Sequence, residues 1–442
     1  MTRPLSIAVV CLPGLGGSGV VAAELALGLA ARGHRIHVVA TELPERLRGH
    51  LVPDRRDRRS SSGEADRREA GIEGASLPES LRAGESAETG VTFVRVDVPT
   101  SPVFEHGPYD VAVASQLVEL IRATPIDLVH LHYAVPHAAS ALLVSRMLGD
   151  RAPAMVITLH GTDVTRLGVH PSLHAVTAFA VAACDGITTP SRYLRGAAAE
   201  RFAIAPERIE VIPNFVDLER FAPPAVRDRA AGGLAALFAG AGPGAPTGDA
   251  DDTGPILFHV SNFRPIKRPL DLVEVLARVR RSLPARAVLV GDGPERDAVV
   301  RRADELGVAD QLCLLGRRDD FAALLGHADG FVLPSESEGF GVAALEAMAA
   351  GVPVFGYDVG GLPEVVAGGA GTLVACCDVD ALAAAVVAGI RDPRQRDAMG
   401  RAARARAEDR FGGGAAIARY EAYFRQVLAR RPPRKESRGS SV

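Results

Sequence analysis

The stretch Gly330–Gly356, G-F-V-L-P-S-E-S-E-G-F-G-V-A-A-L-E-A-M-A-A-G-V-P-V-F-G, reads as a strand, a loop, a helix and a second strand. Gly330–Leu333 and Val354–Gly356 are short apolar runs of the length of buried strands, and the small-residue run Ala343–Ala350 suits a helix between them. The loop and helix carry two carboxylates, Glu338 and Glu346. At 3.6 residues per turn their spacing turns about 800°, within about 80° of one face. The spacing therefore predicts Glu338 at the mouth of the helix and Glu346 a little over two turns in. Gly339 and Gly341 let backbone approach a ligand closely, and ionised carboxylates are strong acceptors for sugar and ribose hydroxyls. The competing reading is an amphipathic helix with two solvated glutamates, and the rest of the chain decides between them.

Outward from this unit the same rhythm repeats. Strands are predicted at Ile7–Cys11, Ile36–Ala40, Leu128–His132, Met155–Leu159, Ile187–Thr189, Ile209–Ile212, Leu257–Ser261, Ala287–Val290 and Leu312–Leu315, with helical patterns between. Short apolar strands separated by helices predict an α/β fold of two doubly wound parallel sheets covered on both faces. Residues 1–217 form a first Rossmann-like domain, 218–254 a Gly/Pro-rich linker and 255–412 a second Rossmann-like domain. A terminal helix over 413–430 crosses back onto the first domain, and 431–442 is a frayed tail. Within the first domain, 44–90 reads as a disordered polar insertion. Its cluster Arg55, Arg56, Arg58 and Arg59 is interleaved with acids, which favours a solvated loop over a nucleic-acid contact. Ligands are expected at the carboxyl ends of the strands, in the cleft between the two sheets.

Bulk composition narrows the classes. The chain has 442 residues, 47% hydrophobic and 23% charged, with a net charge of −3. That gives no global field for nucleic acid or an anionic membrane. No unbroken apolar run is long enough to span a bilayer, and the first apolar run is too short for a secretory leader. Five scattered cysteines (Cys11, Cys184, Cys313, Cys376, Cys377) form no C-x-x-C pair and suit a reducing cytoplasm. Association into a homo-oligomer is left open.

Further motifs close the predicted strands. Gly14, Gly16 and Gly19 match G-x-G-x-x-G after the first strand, and Glu42 follows the second. This fits a dinucleotide fingerprint, a phosphate- or carboxylate-binding loop with Ser18 adding a hydroxyl, or a purely structural turn; the pattern alone does not separate them. His130, His132 and His137 lie in V-H-L-H-Y-A-V-P-H, where 130 and 132 share a strand face. No acidic neighbour completes a metal site, so these read as hydrogen-bonded or cleft-lining histidines. Tyr133 ends that strand, where a phenol can reach a ligand. T-L-H-G-T-D (Thr158–Asp163) offers a hydroxyl and an imidazole, with an N-cap at Thr162 or Asp163 as the plain alternative. H-V-S-N-F-R-P-I-K-R-P (His259–Pro269) places Arg264 and Lys267 on a loop suited to a diphosphate, the alternative being a solvated basic loop.

Taken with G-D-G-P-E (Gly291–Glu295) and G-G-L-P-E-V-V (Gly360–Val366), the E-x7-E pair and the Arg264/Lys267 loop make the chain resemble the retaining GT-B glycosyltransferases of family 4. The strings G-G-S-G-V-V-A, H-Y-A-V-P-H-A, T-L-H-G-T-D-V-T and H-V-S-N-F-R-P-I-K-R are similar to the branch of that family acting in bacillithiol biosynthesis. That resemblance implies transfer of GlcNAc from UDP-GlcNAc to L-malate with retention, without a metal or other cofactor. It implies that Glu346 holds the uridine ribose and that Glu338, with Gly339, Phe340, Gly341 and Val342, holds the sugar. Arg264 and Lys267 would neutralise the leaving diphosphate, with Arg268 as the rival to Lys267. Gly16, Gly17 and Ser18 would meet phosphate or acceptor, Tyr133 and Thr158 the acceptor, and His160 the sugar. Asn214 would close the cleft near donor or acceptor. The resemblance implies a front-face route, in which the leaving phosphate oxygen takes the acceptor's proton and neither carboxylate is a covalent nucleophile.

Two other readings remain open at this stage. One is a sibling transferase with an inositol phosphate or lipid acceptor. The other is a NAD-dependent oxidoreductase using Gly14–Gly19, or a nucleotide-sugar epimerase.

Overall fold

The computed structural model describes residues 3–13, 17–51, 85–86, 90–99, 107–225 and 254–431. Gly14, Gly16, most of the 44–90 insertion with its arginine cluster, most of the 218–254 linker and the tail from 432 lie outside the described residues. The chain divides into two compact units, one of Met1–Pro190, Leu194–Ile212 and Ile417–Val442, the other of Ser191–Tyr193 and Pro213–Ala416. The change of unit thus falls slightly ahead of the boundary expected at Asp217.

The first unit is built on strands β1 (Ser6–Val10), β2 (Arg35–Ala40), β3 (Glu85–Ser86), β4 (Val91–Arg95), β5 (Leu128–His132), β6 (Ala154–Thr158), β7 (Gly186–Thr189) and β8 (Ile209–Val211). They lie in the order β3-β4-β2-β1-β5-β6-β7-β8, parallel except for the short β3–β4 pair. The chain winds outward from β1 through β2, then returns to β5 on the other side of β1. That reversal is a topological switch point, and crevices at the carboxyl ends of strands form there. Strands β1, β5, β6 and β7 are buried along their whole length, as continuous Val/Ile/Leu runs require when helices cover both faces. The end of the terminal helix Gly413–Arg430 supplies part of that cover. Tyr420 and Phe424 are fully buried, and the Tyr423 hydroxyl accepts from the Ile187 amide at 3.0 Å and donates to the Ile187 carbonyl at 3.2 Å.

The second unit carries β9 (Ile256–Val260), β10 (Arg286–Val290), β11 (Leu312–Leu314), β12 (Gly330–Leu333), β13 (Val354–Tyr357) and β14 (Gly371–Val374). Their order is β11-β10-β9-β12-β13-β14, all parallel, with the switch point between β9 and β12. The two faces alternate strictly. Phe258, Val288, Phe331 and Val354 enter one core, while Leu257, Leu289, Val332 and Phe355 enter the other, as the two-residue period of a strand dictates.

Candidate functional site

In the second unit, the loops following β9 and β12 flank the switch point. The first runs through buried Phe263 (φ 38°) and exposed Arg264, makes a single 3-10 turn over Pro265–Lys267, and ends at Arg268 in a left-handed conformation (φ 45°). Glu336 N–H donates to Ile266 O at 2.9 Å, which ties the two loops together. Lys267 Nζ then donates to Glu338 Oε1 at 2.6 Å, with the Glu338 side chain only 9% exposed and that of Lys267 24%. Arg268 turns away instead. It makes a two-pronged pair with Asp271 at 2.7 and 3.1 Å, and Asp271 also accepts from the Tyr357 hydroxyl at 2.7 Å. Burial, then the bond to Asp271, raises the Tyr357 pKa. Among the described residues Arg264 has no ion-pair partner.

Backbone contacts fix the carboxylate loop. Gly361 N–H donates to the Glu338 carbonyl at 2.9 Å. Gly360 sits at φ 58°, where a Cβ would stand 2.0 Å from the same carbonyl oxygen, so glycine is required. Ser191 Oγ donates to the Gly339 carbonyl at 2.7 Å. Gly341 (φ 102°) opens the helix Val342–Ala349, and Phe340 packs edge-on against Phe411 at 5.7 Å. This corrects the helical-face reading of the two glutamates. Glu338 lies on the loop before the helix, and Glu346 is a little over one turn in, because Gly339 and Gly341 delay the helix start. Both carboxylates are nevertheless buried. Behind the loops, His259 is fully enclosed, and burial pushes its pKa down to about 4. Its neutral ring donates from Nδ1 to Val332 O and accepts at Nε2 from the Ser261 hydroxyl, both at 2.8 Å. Asn214 Oδ1 and Ser335 Oγ are buried without a hydrogen-bond partner among the described residues.

In the first unit, the corresponding position after β5 is a histidine cluster. Burial holds all four rings neutral, lowering His130 and His160 to about 3, His137 to about 4 and His132 well below its ordinary value. His137 donates from Nδ1 to the His132 carbonyl at 2.7 Å, so its Nε2 accepts from Tyr109 OH at 3.0 Å. His132 Nδ1 and His160 Nε2 share a proton across 3.0 Å, and the rings stack with centroids 5.2 Å apart. His130 Nε2 meets Thr158 Oγ1 at 2.7 Å, and Thr158 Oγ1 meets Thr188 Oγ1 at 2.6 Å. Thr158 is thus fully buried with its hydroxyl committed to the protein. It supports the strand ends, which corrects the expectation that it reaches an acceptor. Tyr133 (φ 82°) is only half-buried and its hydroxyl bonds Thr162 Oγ1. Ser18 and Gly17 lie in the first turn of the helix Gly17–Ala31, accessible to solvent.

Sequence reasoning missed the group that organises this end. Asp163 is fully buried and accepts from the amides of Ala134 at 3.0 Å, His160 at 3.0 Å and Gly161 at 2.7 Å. Burial raises its pKa while those amides oppose the shift. The T-D pair was legible only as an N-cap. In the structure Gly161, at φ 144°, folds the loop back over the carboxylate instead. Among the described residues no group of three His, Cys, Asp or Glu side chains is arranged to hold a metal.

Two parallel doubly wound sheets, each with its polar groups at the carboxyl ends beside a switch point, define a GT-B architecture. The family model "Glycosyltransferase Family 4" matches residues 15–220 and "Glycosyl transferases group 1" matches 246–406. The chain belongs to the family 4 GT-B glycosyltransferases. As a glycosyltransferase it is neither the oxidoreductase nor the epimerase that the glycine pattern alone left open.

Among particular relatives, it is similar to the N-acetyl-alpha-D-glucosaminyl L-malate synthase of Bacillus anthracis, 33% identical over 96% of this chain and 97% of that protein. It is also similar to the D-inositol 3-phosphate glycosyltransferase of Mycolicibacterium paratuberculosis, 39% identical over 46% of this chain and 44% of that one. The fold resembles the Anabaena HepE structure in complex with UDP and glucose, at TM-score 0.70 and 18% identity, over 95% of this chain and 99% of that chain.

Proposed function

We propose that the chain transfers GlcNAc from UDP-GlcNAc to L-malate with retention of the anomeric configuration. The full-length likeness to the Bacillus anthracis protein supports the substrates. The observation that carries the donor chemistry is the Lys267–Glu338 pair beside the β9/β12 switch point. On this reading an arriving diphosphate competes for Lys267 and for exposed Arg264. Glu338 is then released to accept sugar hydroxyls, helped by the backbone of Gly339, Phe340, Gly341 and Val342. Glu346 takes the ribose hydroxyls, and the unpartnered amide oxygen of Asn214 takes a donor hydroxyl. Tyr133, Ser18, Gly16 and Gly17 serve the acceptor and its carboxylates, and His160, held neutral, faces the sugar.

The bond from the anomeric carbon to the UDP oxygen breaks while a bond to the malate hydroxyl oxygen forms on the same face. The hydroxyl proton passes to the departing phosphate oxygen. Cations placed where this charge develops supply the main stabilisation. No resident metal or cofactor takes part, and the five free thiols suit a reducing cytoplasm. Among the described residues no helix is long and apolar enough to cross a membrane.

The test is UDP release from UDP-GlcNAc with L-malate, with inositol phosphate and with no acceptor, each with and without EDTA. Malate-dependent release that survives EDTA is expected. The Mycolicibacterium relative makes inositol phosphate the second candidate, and release with that acceptor alone would overturn the malate assignment.

A further inference from the structure

The second unit carries a feature that glycosyl transfer does not use. Cys376 and Cys377 are adjacent in sequence, both exposed, and their Sγ atoms lie 3.0 Å apart just beyond β14. Cys377 has a left-handed backbone (φ 67°), sparsely populated for a residue with a Cβ, and Val374 is tied back to Asp358 by a 2.7 Å amide bond. The pair sits among charges. Cys377 lies close enough to Arg268 to bear on its ionisation, and Cys376 is influenced by Glu336 and Arg268. The other three thiols are buried and inert; burial pushes Cys11 and Cys184 up to about 12 and also raises Cys313.

We propose that Cys376 and Cys377 are a thiol–disulfide exchange site that closes to a vicinal disulfide on meeting a low-molecular-weight disulfide. Cys377, on losing its proton to solvent, attacks one sulfur of the small disulfide RSSR. A mixed disulfide forms and RS⁻ leaves. Cys376, held as the protonated partner with its pKa up to about 11 by partial burial and by Cys377, then loses its proton and attacks the Cys377 sulfur. The second RS⁻ departs. The two protein thiols are oxidised by two electrons, RSSR is reduced to two RSH, and the two thiol protons end on them. Short spacing and exposure make the second step intramolecular and faster than release of a lasting adduct.

The experiment treats the native full chain with oxidised glutathione, alkylates it with iodoacetamide, and reads the peptide spanning 376–377 by mass spectrometry. Before treatment two thiols alkylate in the native chain and five in the denatured one. After treatment neither Cys376 nor Cys377 alkylates, and their peptide has lost two hydrogen atoms, restored by dithiothreitol. The Cys376→Ser variant instead accumulates one glutathione adduct on Cys377, which separates closure from simple blockage. A stable glutathione adduct on the unsubstituted chain, or undiminished alkylation of both thiols, would overturn the proposal. Neither readout depends on any glycosyl-transfer assay.

Discussion

The two switch points solve the same topological problem with opposite chemistry. In the first unit, burial removes charge: four histidine rings and a threonine are hydrogen-bonded beneath the strand ends, and each ring is neutral. In the second, the strand ends hold charge in pairs, Lys267 with Glu338 and Arg268 with Asp271, partly open to solvent. The difference shows what each end can do. A neutral network sets shape and hydrogen-bond direction and resists an incoming charge. A paired lysine and carboxylate can exchange partners when an anion arrives, since the pair already compensates both desolvated groups. Glycosyl transfer from a nucleotide donor needs the second kind of site where diphosphate charge develops.

The largest test of this contrast is pH. Each buried histidine takes up its proton more readily unfolded, at about 6.5, than folded, so stability is full above that value and falls as pH drops toward the folded pKa near 3–4. At pH 5.5, one unit below the unfolded value, each such ring costs on the order of 1 kcal/mol. His37, lowered to about 4, and His34, also lowered by burial, join the cluster's four in the first unit, against His259 in the second, so the loss falls mainly on the first unit. Hydrogen exchange by mass spectrometry at pH 7.5 and 5.5, corrected for intrinsic rates, should show protection lost chiefly in β2, β5 and β6. Equal loss in β9 and β12 would mean that neutral burial is no special property of the first unit.

Next in size is Lys267→Met. If this cation meets the leaving diphosphate, UDP release should fall about 10²–10³-fold in kcat, the range for removing one preorganised donor at developing charge. Circular dichroism should be unchanged. A change in KM alone would show that Lys267 binds the donor without stabilising the departing charge.

Thr158→Val probes the neutral side at smaller scale. It removes the hydroxyl shared by His130 and Thr188 and leaves both buried partners short of a bond, which should cost about 1–3 kcal/mol in urea unfolding. Acceptor KM should move little, because Thr158 is enclosed. A large rise in acceptor KM at unchanged stability would return Thr158 to the binding surface.

These residues also show where the sequence was sufficient. Strands β5 and β12 were read to the residue because both runs end at sharp boundaries, Tyr133 and Pro334. Strand β14 was missed because Gly371–Val374 is a half-exposed edge with no apolar run. Strand β4 was missed because V-T-F-V-R alternates beside a polar stretch. The residues that gather beside the β9/β12 switch point, the Arg264–Lys267 loop and the two glutamates, could be picked out because each group is local in the chain, while their roles are the proposal made above. Sequence reading failed where function depends on strand register. Pairing of His132 with Thr158 across β5 and β6 brings the His130 ring onto the Thr158 hydroxyl, and no spacing along the chain encodes that. It failed again where glycine delayed a helix start, so that Glu346 stands a little over one turn into the helix and not two.

The smallest predicted effect decides between neighbouring cations. Arg268 and Lys267 are adjacent and both cationic, and spacing along the chain does not rank them. Their partners do. Arg268 is locked by two bonds to Asp271, itself fastened to Tyr357, and its backbone is turned to the left-handed region, which carries its side chain to the next helix. Reaching a phosphate would require breaking a bidentate pair, whereas Lys267 need only exchange one bond. Arg268→Met should therefore change donor KM by no more than about fivefold, the equivalent of about 1 kcal/mol for a partly exposed pair. A loss matching that of Lys267→Met would make Arg268 the phosphate cation. Its pair with Asp271 would then be the contact that opens, and Lys267 would be left to hold Glu338 in place.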